Sequence, residues 1–237
     1  QGAPCATQIT CKPRNERLYM SNTIHLTLLA LSWVLYGILH SVLASHACKN
    51  AVRNHAPNAF RAYRLTYNLL AVLLLAPPLW LLISYPGDML WRWPTALGWL
   101  ADIAALSAIA GFIWSAGFYD TGEFLGVRQL SQTTPAIDDR APMSLSLAHR
   151  FVRHPWYFLG LVIIWTREMN AAFLLTAVTL TFYLLIGSRQ EEKKLLACYG
   201  EQYRKYQALV PGLIPLPWKY LSRQQAEEIL GMKNKVS

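Results

Sequence analysis

Arg153-His154-Pro155-Trp156-Tyr157 opens an apolar run, Trp156–Ser188, which is interrupted only by Thr166-Arg167-Glu168-Met169-Asn170 and is followed by Gln190-Glu191-Glu192. The interruption is too short to be a loop with structure of its own, so the run reads as two helices joined by a tight turn. Pro155 suits the first turn of a helix, where its missing N–H costs nothing, and this places His154 near the N-cap. The first helix, Trp156–Trp165, would be only about 15 Å long at 1.5 Å per residue, so it must begin earlier or cross a bilayer incompletely. The second is expected to end at Glu191-Glu192. Charged and aromatic side chains thus gather at the open end of an apolar hairpin.

Working outward from this hairpin, Ile24–Ala44, Leu65–Ser84 and Thr95–Phe118 each approach or exceed the roughly 20 apolar residues that cross a membrane. With the hairpin they make five helices, and the expected fold class is all-α integral membrane. Of the 237 residues, 54% are hydrophobic and 15% charged, which argues against a water-soluble globule. Three stretches make up the organisation: a polar leader at 1–19, the membrane domain at 20–221 and a surface tail at 222–237. Met20 is expected to be the natural start. The first span is too long for a cleaved signal and lacks a small-residue cleavage site, so it reads as an anchor. Pro77-Pro78 should kink the second span. In the third, Ala104, Ala108, Gly111 and Ser115 form a small-residue face that permits close helix packing, with another helix or with a second copy in a homo-oligomer.

The net charge of +9 is unevenly distributed. Lys49, Arg53, Arg61 and Arg64 follow the first span without an acid, and nine Lys/Arg against five Glu follow Ser188. Only Arg92 and Asp88 lie between the second and third spans. Basic segments that alternate with spans follow the positive-inside rule, so the expected partner is a lipid bilayer, with no nucleic acid. The first loop, the Asp120–Arg153 loop and the C-terminal tail would share the cytoplasmic side. Cys5, Cys11, Cys48 and Cys198 lack zinc-finger spacing, and no metal is expected. Cys5 and Cys11 suit a disulfide if the N-terminus is exported. The Asp120–Arg150 loop, with Pro135, Asp138, Asp139 and Pro142, reads equally as a cover for a site or as a plain linker.

Four groups are candidates for chemistry. The first is Arg153, His154 and Tyr157 at the start of the hairpin. The second is Glu191-Glu192, where adjacent acids at a helix C-terminus would oppose the macrodipole unless something compensates. The third is Tyr199, Tyr203 and Tyr206, spaced four and three on one helical face before Val210-Pro211 and Ile214-Pro215. The fourth is Asp102 within the third span, either satisfied by a neighbouring helix or functional. Each alone has an ordinary explanation: a helix start, a solvated charged end, an aromatic membrane belt.

Together, Arg-His-Pro-x-Tyr-x-x-Gly, Glu-Glu-x-x-Leu, Tyr-Gly-x-x-Tyr-x-x-Tyr and Val-Pro-x-x-Ile-Pro over Arg150–Pro217 resemble the integral-membrane methyltransferases. That superfamily includes isoprenylcysteine carboxyl methyltransferases and phospholipid N-methyltransferases. His40-Ser41-Val42-Leu43-Ala44-Ser45 and Phe124-Leu125-Gly126-Val127-Arg128-Gln129 look like bacterial methanethiol S-methyltransferases, and the first of these is shared with NnrU-type membrane proteins. The resemblance implies S-adenosylmethionine held from a cytoplasmic tail by His154, Tyr157, Glu191, Glu192, Tyr203 and Tyr206. It implies a small lipophilic acceptor, best a thiol, with His40 and Arg128 on the acceptor side. His40 reads equally as a packed interface histidine. Arg153 and His154 are the catalytic candidates, Arg153 either attracting an anionic acceptor or anchoring the loop. The expected location is a bacterial inner membrane with the site facing the cytoplasm. Two alternatives stand: an NADPH-dependent membrane reductase of the sterol-reductase type, from which Glu191-Glu192 and the short length depart, and a non-enzymatic NnrU-like membrane protein.

Overall fold

The computed structural model describes residues 14–118, 120–131 and 143–231. Cys5, Cys11, Pro135, Asp138, Asp139 and Pro142 lie outside the described residues. Helix α1 (Arg14–Ala44) begins inside the expected leader, so residues 14–19 are helical where an irregular chain was expected. Next come α2 (His46–His55), α3 (Tyr63–Leu74), α4 (Ala76–Ser84) and α5 (Thr95–Ala116). Two short helices, α6 (Thr121–Leu125) and α7 (Val127–Ser131), precede α8 (Pro155–Trp165), α9 (Ala171–Leu209) and α10 (Arg223–Ile229). Among the described residues, four segments are long and apolar enough to span a membrane, Asn22–Ala44, Ala59–Ser84, Thr95–Ala116 and Ala171–Leu209, and α8 is a shorter fifth. Their outer faces carry large exposed apolar side chains such as Ile83 (78%), Trp80 and Ile113 (both 72%), as a lipid-facing surface does. The protein is an all-α integral membrane protein.

The prolines divide the second span. Helix α3 stops at Leu74 and α4 starts at Ala76, with Pro77 and Pro78 in its first turn, where their missing N–H groups cost least. The small-residue face of α5 packs within the chain: Ala101, Ala105, Ala108 and Ser115 are buried, and a Cβ on Gly111 would stand 3.2 Å from the Leu159 side chain of α8. This face is therefore occupied by α8. Asp102 forms an ion pair with Arg167 at 3.0 Å, so the third span's carboxylate is satisfied structurally.

The hairpin crosses in an unequal way. Trp165 Nε1 donates to Thr181 Oγ1 at 3.0 Å, which sets the end of α8 abreast of the middle of the apolar half of α9. An 11-residue helix covers about 16 Å, whereas Ala171 to Glu191 along α9 covers about 30 Å. Helix α8 thus spans incompletely, and Thr166–Asn170 covers the remaining depth as non-helical chain that ends in a two-residue strand. Several of its polar groups are satisfied inside the protein, as the bilayer favours, although Arg167 Nε is buried without a partner among the described residues. Trp93 Nε1 donates to the Thr166 carbonyl at 3.1 Å and Arg167 Nη2 to the Ala101 carbonyl at 3.3 Å. Strand β1 (Met89–Trp91) pairs antiparallel with β2 (Met169–Asn170) and closes this end.

Two cores position the rest. Leu29, Trp33 and Ala172 bury the contact of α1 with α9, where Trp33 Nε1 donates to Thr176 Oγ1 at 3.0 Å. At the opposite, basic end, Tyr203, Tyr206, Val210, Leu221 and Ala226 form a second core. The tail expected to lie on the surface contributes to it through α10, whose start carries a reciprocal Ser222–Gln225 capping box.

Candidate active site

Helix α9 does not end at Glu191-Glu192; it runs on to Leu209, with one non-helical residue at Gly200 (φ 53°, ψ −126°). The two acids are therefore inside a helix, and the expected conflict with its dipole does not arise. They stand beyond the apolar stretch that closes at Ser188, abreast of the start of α8. Pro155 occupies the first turn of α8 with His154 as its N-cap, and the backbone N–H groups of Arg153 and His154 donate to the carbonyls of Pro211 and Gly212 at 2.9 and 3.1 Å. The Val210-Pro211 exit is thus bound directly to the start of α8. A Cβ on Gly212 would come within 3.3 Å of Arg153 Nη2.

Side chains then converge. Glu192 Oε1 accepts from Arg153 Nε at 2.8 Å and lies 3.1 Å from His154 Nε2, while its Oε2 accepts from Gln207 Nε2 at 3.1 Å. Arg153 Nη1 also donates to the carbonyls of Gln207 and Val210. Both partners are mostly buried, at 14% and 17% side-chain exposure. Glu191 is the open member, at 49%. Its Oε2 lies 3.4 Å from His154 Nδ1 and accepts from the Tyr157 hydroxyl at 3.2 Å. The rings of His154 and Tyr157 stack, 5.2 Å apart and 11° from parallel. Burial pushes the Glu192 carboxyl up, and Arg153 and His154 more than offset it, so its pKa lies below the usual range. The His154 hydrogen bond holds Glu191 low against the opposing effect of burial. Burial and the neighbouring His154 push His149 below its ordinary value.

The structure therefore brings Arg153, His154, Tyr157, Glu191 and Glu192 into one cluster. Tyr203 and Tyr206 do not open onto it in the same way: each is 2% exposed within the second core, and the Tyr206 hydroxyl donates to the His149 carbonyl at 2.7 Å. Arg128 pairs with Asp120 at 2.8 Å at the start of α6. His40 is joined to Tyr183 and Tyr67, neither of which sequence reasoning singled out. Gln207 was also missed. A signal for Tyr183 existed: Tyr183, Gly187 and Glu191 recur every four residues on one face of α9.

Comparison with known proteins gives relatives over most of the chain. The chain is 35% identical over 186 residues to a methanethiol S-methyltransferase of Pseudomonas deceptionensis, covering 76% of this chain and 69% of that protein. It is 30% identical over 201 residues to a methanethiol S-methyltransferase of Mycobacterium tuberculosis, covering 78% and 76%. It is 30% identical over 210 residues to methanethiol S-methyltransferase 2 of Bradyrhizobium diazoefficiens, covering 83% and 74%. No protein-family model matches the chain, and no solved structure does.

Proposed function

The chain belongs to the family of methanethiol S-methyltransferases, and we propose that it transfers a methyl group from S-adenosylmethionine to a small lipophilic thiol at the membrane's cytoplasmic face. The observation that carries the donor site is the half-exposed Glu191 carboxylate beside the stacked His154–Tyr157 pair. A carboxylate accepts hydrogen bonds from a ribose diol or an ammonium group, and the partly exposed Tyr157 ring, backed by the buried His154, lies beside it. A Cβ on Gly160 would meet nothing within 4 Å, and one on Gly187 only the Tyr157 hydroxyl at 3.9 Å, so there is space next to these groups. The residues present fit the donor.

S-adenosylmethionine, when bound, supplies an electrophilic methyl group on a positively charged sulfur. Glu191 and Tyr157 bind and orient it, and the low pKa of Glu191 keeps a negative charge opposite that cation. Glu192 and Arg153 act one step back. Arg153 ties α8, α9 and the Val210-Pro211 exit into one unit, and Glu192 holds both Arg153 and His154, so these are positioning residues. Holding donor and acceptor at attack distance lowers the barrier by several kcal/mol. Tyr203 and Tyr206 back the site from the second core. Neither the reductase nor the non-enzymatic reading gains support from the relatives.

Calorimetry of S-adenosylmethionine on the detergent-purified protein, followed by conversion of methanethiol to dimethyl sulfide, tests this reading. Glu191→Gln should weaken donor binding about tenfold or more, the loss of one charge-assisted hydrogen bond, with stability kept. Glu192→Gln should weaken binding and also lower stability, by up to about 3 kcal/mol, because it leaves Arg153 without its anion. A folded parent that binds no donor would overturn the proposal.

A further inference from the structure

His40 lies near the basic end of α1, between two hydroxyl groups from other helices. The Tyr183 hydroxyl of α9 is 2.8 Å from its Nδ1, and the Tyr67 hydroxyl of α3 is 2.7 Å from its Nε2. Ser41 Oγ lies 3.2 Å from the same Tyr183 hydroxyl. The titratable groups facing His40 are these two tyrosines and Tyr36 on its own helix, whose ring is 5.6 Å away. Whichever nitrogen of the neutral ring carries its hydrogen, one tyrosine donates to it and the other accepts from it. The arrangement is built closely: a Cβ on Gly37 would stand 3.2 Å from the Tyr183 ring, so glycine there lets that ring lie against α1.

A second observation connects this group to the donor site. Tyr183, Gly187 and Glu191 share one face of α9, with Tyr183 about 12 Å along the axis from Glu191. Between them the wall is bare, since a Cβ on Gly187 would meet only the Tyr157 hydroxyl. Tyr157 itself is held by Glu191. A space with a carboxylate and a ring pair at one end and a histidine-backed hydroxyl at the other suits a donor and an acceptor meeting end to end.

We propose that Tyr183, backed by His40, removes the proton of the thiol as the thiol is methylated. The inference rests on the function proposed above. A neutral thiol enters apolar surroundings readily but is a poor nucleophile until its S–H bond is lost, so a positioned group that takes the proton assists the step. The thiol S–H proton passes to the Tyr183 oxygen while the Tyr183 hydrogen passes to His40 Nδ1, and Nε2–H then donates to Tyr67. The thiol sulfur forms its new bond to the methyl carbon, and the electron pair of the broken carbon–sulfur bond stays on the donor sulfur. One positive charge thus moves from that sulfur to the imidazole, and the apolar site neither gains nor loses charge, which keeps the electrostatic cost of the step low. Tyr183 is the catalytic residue here and His40 the positioning residue and proton store behind it.

The test compares two thiols of similar size and different acidity, ethanethiol and the more acidic trifluoroethanethiol, on the purified full chain with His40→Gln and Tyr183→Phe. The second variant keeps its ring in place and removes only the hydroxyl. With ethanethiol, kcat should fall about 100-fold in both, the usual contribution of a positioned base. With trifluoroethanethiol, which needs less help to ionise, the loss should be only a few-fold. Calorimetric donor affinity should be unchanged. Equal losses for the two thiols would mean that the histidine and tyrosine only support packing, and undiminished turnover in both variants would remove them from the reaction; either result overturns the inference. A parent that neither binds the donor nor methylates either thiol overturns the function on which the inference rests, and the inference with it.

Discussion

Tyr206 donates its hydroxyl to the His149 carbonyl while its ring is packed with Tyr203, Val210 and Leu221, so removing that hydroxyl leaves one buried acceptor without a partner. Tyr206→Phe should lower stability by about 1–2 kcal/mol, read as a drop in the thermal midpoint, and leave the donor dissociation constant where it was. A large loss of donor affinity at unaltered stability would instead place Tyr206 among the binding residues. The three tyrosines 199, 203 and 206 were visible as a face from their spacing, but spacing alone does not say what the face meets. Here Gly200 breaks the helix after the first of them, and the other two turn into the second core. The same limit applies to Glu191 and Glu192. They are identical letters, yet about 100° of rotation between neighbours on a helix puts one on Arg153 and Gln207 and the other in the open beside Tyr157. Which one is which depends on the azimuth of α9, and only packing sets that.

At the scale of elements, the short segment α6–α7 shows why one motif has its glycine. Gly126 has φ +89°, and a Cβ there would stand 2.6 Å from the Leu65 backbone nitrogen and 3.0 Å from the Arg64 carbonyl carbon. Both the left-handed conformation and the direct approach to α3 exclude a side chain. Asn68 Nδ2 reinforces the contact by donating to the Phe124 and Leu125 carbonyls at 3.1 Å each. Gly126→Ala should therefore destabilise by about 2 kcal/mol or more, measured by thermal unfolding in detergent. An unchanged midpoint would show that α6 does not need this close approach. The five apolar segments were legible from hydropathy, because lipid demands long apolar runs whatever their partners are. The incomplete crossing by α8 was legible only as a shortfall in length. How that shortfall is made up depends on Trp165 reaching Thr181 and on Trp93, Asp102 and Arg167 satisfying the irregular chain, contacts between segments far apart in sequence.

For the whole molecule, the site and the basic segments belong to the same end. Lys49, Arg53, Arg61 and Arg64 follow α1 or precede the body of α3, and Arg189, Lys193, Lys194, Arg204 and Lys205 lie on the extension of α9 beyond its apolar part. The opposite end has the β1–β2 pair and a balanced set in which Asp102 meets Arg167 and Glu168 lies 4.0 Å from Arg92. By the positive-inside rule the first end is expected to face the cytoplasm, and under the proposed function a charged, water-soluble methyl donor would then reach the half-exposed Glu191 without crossing lipid. Cys198 offers a direct check, since it is exposed on the same extension of α9. With Cys5 and Cys11 replaced by serine and the protein in a bacterial inner membrane, a membrane-impermeant maleimide should modify Cys198 in inside-out vesicles and leave it unmodified in intact spheroplasts. Modification from the spheroplast side would turn the molecule over, and with it the route by which the donor arrives. The thiol side of the proposed reaction should be little affected by that reversal, because a small apolar thiol partitions into lipid from either face.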